Sequence, residues 1–92
     1  MLPKDLLEPL GLDALLVTRP ENVRYLSGFP HPEDAQVLVT GEGAFLLTDP
    51  RYPEAERESR IPAKVLRREE REALLKTLKG RVGFEAEPLP FA

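Results

Sequence analysis

Cysteine is absent from the 92 residues, which excludes disulfides and thiolate metal sites. No excess of one charge is present either. The net charge is −3 with the signs interspersed, so the basic stripe of a nucleic-acid surface is missing. No apolar run approaches the ~20 residues of a membrane-spanning helix. The opening MLPKDLLEPL carries acids and prolines where a secretory signal needs a basic and then an apolar segment. Internal repeats and low-complexity tracts are lacking. These absences point to a cytoplasmic chain with neither nucleic acid nor membrane among its partners.

What is present fits one small folded domain. Hydrophobic residues make up 41% and charged residues 32%, outside the disordered range. Ten prolines, together with many Arg and Glu, suit a heat-stable protein from a thermophile, because proline restricts the unfolded chain. A GC-rich genome would give the same composition.

Hydrophobic pattern and punctuation predict nine elements. Leu6, Leu7 and Leu10 form an apolar face on a short helix that Pro9 distorts and Gly11 stops. Leu12–Thr18 is continuously apolar, as expected of a central strand covered on both faces. Pro20 suits the first position of a helix in which Glu21 meets the positive dipole end and Val23 and Leu26 share a face. Ser27-Gly28 ends it. Phe29 follows, then Pro30-His31-Pro32-Glu33-Asp34, where two prolines argue against regular structure.

Gln36–Thr40 and Ala44–Thr48 read as a hairpin around Gly41-Glu42-Gly43. Pro53–Arg60 reads as a helix, polar apart from Ala55 and mostly exposed. A strand at Ala63–Leu66, a helix at Glu69–Lys79 stopped by Gly80, and a strand at Arg81–Glu85 complete the order. Five strands with crossover helices imply a three-layer α/β domain with a mixed sheet. The tail EPLPFA finds no partner and reads as cut rather than finished.

The residues offer no catalytic constellation. His31 is the only histidine, and its flanking prolines make convergence with Glu33 and Asp34 unexpected; a solvent-exposed loop histidine is the plain reading. Asp13, Asp34 and Asp49 lie at strand ends, where a nuclease would place acids around two metals. Asp13 begins its strand, however, and Asp49 before Pro50 is an ordinary turn residue. Glu69, Glu70 and Glu72 are a solvated helix start. Gly41-x-Gly43 precedes a strand and is a turn, not a phosphate cradle. Ser27 and Ser59 have no visible base.

Three stretches together resemble the amino-terminal domain of the creatinase/prolidase family, which includes Xaa-Pro aminopeptidases and Xaa-Pro dipeptidases. They are LDALLVTRPENVRYLSGF, VLVTGEGAFLLTDPRY and RVGFEAE. The specific parts are Asn22-x-x-Tyr25-Leu26-Ser27-Gly28-Phe29 and Asp49-x-Arg51-Tyr52, and the likeness runs from Leu6 to Glu87. It implies a ribonuclease-H-like topology for residues 1–92. It also implies a separate carboxy-terminal pita-bread domain, where two Asp, one His and two Glu bind two divalent metals, often Mn or Co. Those ligands have no counterpart here, so the chain itself carries no cofactor.

By the same resemblance the domain contributes homo-oligomer contacts and overhangs a neighbouring active site, restricting it to short proline-containing peptides. Phe29 and the loop through His31 are then the candidates for lining that pocket. Tyr25, Arg51 and Tyr52 are either further pocket or subunit-contact candidates or residues that only hold the fold, and Asn22, Gly28 and Asp49 are structural. Pro30-His31-Pro32 departs from the family, which often has Gly, Ser or Asp after Gly-Phe; the first helix is also short. A free-standing peptide- or protein-binding module is the competing expectation, supported if an apolar patch lies open near Phe29. A nucleotide-binding domain is disfavoured by the lack of a glycine-rich strand-to-helix turn.

Overall fold

The computed structural model describes residues 3–85. Its centre is a five-stranded mixed sheet. The helices are α1 (Pro3–Leu7), α2 (Pro20–Ser27), α3 (Ala55–Glu58) and α4 (Arg68–Lys76). The strands are β1 (Ala14–Val17), β2 (Gln36–Thr40), β3 (Gly43–Thr48), β4 (Ala63–Val65) and β5 (Val82–Phe84). Their order across the sheet is β4-β3-β2-β1-β5. The meander β1-β2-β3 is antiparallel, while β5 runs parallel to β1 and β4 parallel to β3. This order does not by itself establish the ribonuclease-H-like label.

The continuous apolarity of β1 has the meaning expected of it: all four residues are buried. Leu15 and Val17 face a core with Val23, Phe29, Val37, Val39, Leu46 and Ala55, under α1, α2 and α3. Leu16 faces the other way, with Leu38 and Leu47, toward Leu74, Leu75 and Leu78 around α4. Two faces, each covered by helix, make three layers. Each buried Val or Leu contributes about 1.5–3 kcal/mol of transfer free energy. The α4 leucines are only half-buried, so that layer is the thinner one.

Several boundaries move for identifiable reasons. Pro9 ends α1 at Leu7; Glu8–Leu10 becomes a 3₁₀ turn, and Leu10 stays exposed instead of joining the apolar face. The hairpin loop is two residues, because Gly43 already pairs with Thr40. The helix expected over 53–60 shrinks to one turn. There the Arg60 N–H bonds to Ser27 O at 2.7 Å, a tertiary partner that takes it out of any helical ladder. α4 stops at Lys76, where the Thr77 hydroxyl donates to Leu74 O at 2.6 Å. The tail EPLPFA lies outside the described residues. Among those described, no helix is long and apolar enough to cross a membrane.

Candidate functional site

β1, β3, β4 and β5 all run toward the same end of the sheet, where open α/β sheets place ligands. Two loops meet there. One leaves α2 and enters β2; the other leaves β3 and enters α3. The first was expected to be irregular, but Pro32 instead opens a 3₁₀ turn over Pro32–Asp34. Asp34 N–H donates to His31 O at 3.1 Å and Ala35 N–H to Pro32 O at 3.3 Å. Proline is compatible with a first-turn position, because no donor is needed there. The turn carries Asp34 toward the second loop, and its carbonyl accepts from Thr48 Oγ1 at 3.0 Å.

In the second loop Asp49 and Arg51 form a local fork. Arg51 Nε donates to Asp49 Oδ1 at 2.9 Å and Nη2 to Oδ2 at 2.7 Å, while the Arg51 backbone N–H also reaches Oδ1 at 2.9 Å. The same Nη2 lies 3.3 Å from Asp34 Oδ1. Tyr52 donates its hydroxyl proton to Asp34 Oδ2. Hydrogen bonding to the Arg51 guanidinium holds the Asp49 carboxyl below its ordinary value. Arg51 is pushed up in return, first by Asp49. Tyr52 is pushed up chiefly because Asp34 accepts its proton in a hydrogen bond.

The rings close the arrangement. His31 stacks on Tyr52 with centroids 4.9 Å apart and planes at 29°. Phe29 meets both edge-on, at 5.7 Å from His31 and 5.6 Å from Tyr52. Such pairs each contribute about 0.5–1.5 kcal/mol beyond burial. Phe29 is 0% exposed, so it supports this face from behind instead of lining it. The outward surface is the imidazole of His31, the half-buried Tyr52 and the Arg51 guanidinium.

Thus His31, Arg51, Tyr52 and Asp49 come together, with Phe29 beneath them and Asp34 added. His31 and Asp34 do not bond to each other through their side chains but each meets Tyr52, His31 by its ring and Asp34 by its carboxylate, an arrangement set by the turn that Pro32 starts. Tyr25 does not join them. It is 52% exposed on α2 and borders a cleft of about 750 Å³ with Leu6, Phe45, Arg60 and Ile61. That cleft sits at the hairpin end, opposite the aromatic face. Gly28, at φ 70°, turns the chain out of α2, and an added Cβ would stand 2.9 Å from Arg60 Nε.

Glu85 was passed over as the last residue of a strand. Its carboxylate accepts from Thr18 N–H at 2.8 Å, from Arg19 N–H at 2.5 Å and from Asn22 Nδ2. Asn22 is 0% exposed, and its Oδ1 has no partner among the described residues. The sequence shows only a glutamate at the end of a strand; the parallel pairing of β5 with β1 that carries it to α2 is visible only in the structure. Ser27 is structural: its hydroxyl donates to Val23 O at 2.6 Å and accepts from Phe29 N–H at 3.1 Å.

Chemically, the face offers an imidazole, a phenol and a guanidinium, with the two carboxylates engaged by Arg51 and Tyr52. Among the described residues no group of three or more His, Asp or Glu is gathered to hold a metal ion. Asp34 and Asp49 are already engaged by Arg51 and Tyr52; the two metals that the resemblance implies are expected in the carboxy-terminal domain, not here.

A family model described as the creatinase/prolidase N-terminal domain matches residues 4–92. No curated protein is similar enough to count as a match. Among solved structures, the prolidase from Pyrococcus horikoshii OT3 aligns at 27% identity and TM-score 0.74, covering 97% of this chain and 26% of that one. The Xaa-Pro aminopeptidase from Streptococcus thermophilus aligns at 27% identity and TM-score 0.71, covering 94% of this chain and 70% of that one. A creatinase/prolidase-like N-terminal domain from Corynebacterium diphtheriae aligns at 33% identity and TM-score 0.72, covering 90% and 69%. The chain thus spans about a quarter of the Pyrococcus prolidase.

Proposed function

The chain belongs to the creatinase/prolidase N-terminal domain family, and from that premise we propose that it serves a metal-dependent Xaa-Pro peptidase as its non-catalytic domain. The aminopeptidase and dipeptidase types fit equally. The catalytic pita-bread domain supplies the two divalent metals, Mn or Co, and cleaves the bond before proline. This domain contributes homo-oligomer contacts and limits which peptides enter a neighbouring active site. A cytoplasmic setting suits short-peptide substrates, and the ten prolines suit a thermophilic source.

The observation that carries the reading is the exposed His31 ring, fixed flat against Tyr52 at 4.9 Å on a loop end of the sheet. A face held by stacking and by the Asp34–Tyr52 bond is rigid enough to exclude a longer peptide. It touches no reacting atom in this reading; it bounds the space around one.

The test uses the intact peptidase. His31→Ala should raise kcat/KM for peptides longer than the preferred length by roughly tenfold, about 1.4 kcal/mol at the transition state, with little effect on the shortest substrate. Equal kcat/KM changes for short and long peptides would remove the restriction role.

A further inference from the structure

α2 is a strut between two anchors. Its eight residues span about 12 Å. At the amino end, Glu85 gathers Thr18 N–H, Arg19 N–H and the Asn22 amide, while its own N–H pairs with Leu16 O at 3.0 Å. At the carboxyl end, Ser27 O accepts from Arg60 N–H at 2.7 Å and Tyr25 O from Arg60 Nη2 at 2.8 Å. One residue past Gly28 stands Phe29, edge-on to both His31 and Tyr52. The buried side chains Asn22, Val23 and Ser27 key the strut to the sheet. Asn22 is the sensitive point. Its Nδ2 has Glu85 as partner while its Oδ1 has none among the described residues, so losing Glu85 strands the whole amide in the core.

We propose that Glu85 is a positioning residue for the His31–Tyr52 face: it holds the amino end of α2, and α2 carries that hold through Phe29 to the stacked rings. The position of the chain leaving β5 is thereby linked to a surface built from His31 and Tyr52, both far earlier in the sequence. A bidentate carboxylate is suited to this, since it accepts from two successive backbone donors with one oxygen and from a buried amide with the other. The inference rests on the His31–Tyr52 face as the recognition surface of the proposed function, but its test does not require peptidase activity.

His31 is the only histidine, so its ring signals are unambiguous in the proton NMR spectrum of the 92-residue chain. The wild-type imidazole should show ring-current shifts from Tyr52 and Overhauser contacts to it. In Glu85→Ala, those contacts should be lost and the imidazole signals should move to free-histidine positions, while the amide signals of β2 and β3 persist. Glu85→Gln should restore much of the wild-type pattern, because its amide oxygen still accepts from Thr18 and Arg19 and, once the Asn22 amide turns over, its NH₂ donates to Asn22 Oδ1.

Unchanged His31 signals in folded Glu85→Ala would overturn the proposal. Should that variant not fold, Glu85→Asp, one methylene short, should give an intermediate shift; wild-type signals in it would overturn the proposal equally. An intact protein without peptidase activity would remove the proposed function and leave this coupling in place. Unchanged His31 signals would do the reverse.

Discussion

Tyr52 holds the face together in two separable ways, through its hydroxyl to Asp34 and its ring to His31. Tyr52→Phe removes only the first and should lower the urea midpoint modestly, since the bond is partly open to solvent. The Arg51–Asp49 fork is largely exposed and contributes little alone. Its pH signature is nonetheless specific. Asp49 is depressed in the folded chain, so its contribution is present above the ordinary value of 3.8 and is lost as pH falls through the folded value. Tyr52 is raised, so its contribution is full below 10.0 and is lost as pH rises through its folded value. Stability against pH should therefore fall at both extremes. Asp49→Asn should flatten the acid limb and Tyr52→Phe the alkaline limb; limbs unchanged in these variants would contradict the assignment.

At the scale of elements, α2 and the turn after it decide where the face lies. Gly28→Ala forces a left-handed conformation that costs about 1–2 kcal/mol. It also displaces Arg60, whose Nε would stand 2.9 Å from the new methyl. The variant should unfold at lower urea, with the loss exceeding the conformational cost alone.

What could be read from sequence follows from how local each interaction is. β2, the hairpin and the opening of α2 rest on neighbouring residues and were legible. The fork between Asp49 and Arg51, two residues apart, is just as local, yet Asp49 reads from the sequence only as an ordinary turn residue. The short α3 was not legible, because Arg60 N–H answers to Ser27 O. His31 and Asp34 meet the Tyr52 loop only because Pro32 starts a turn instead of merely blocking structure. Glu85 was hidden for a different reason: its partners lie 63 to 67 residues back in the chain.

Taken whole, the molecule is a three-layer scaffold that sets one aromatic, hydrogen-bonded face at the carboxyl ends of its parallel strands. The proposed recognition is local to that face. In the proposed function the hydrolytic chemistry belongs to the catalytic domain; among the described residues no group of three or more His, Asp or Glu could hold a metal ion.

The most direct test is hydrolysis of an Xaa-Pro dipeptide and a longer Xaa-Pro peptide by the intact protein that carries this domain, before and after chelation. The account predicts cleavage before proline, abolished by chelation and restored by Mn or Co, with the 92-residue chain inactive alone. An intact protein that binds such peptides but leaves them uncut with either metal present would contradict the account and make this fold a binding module.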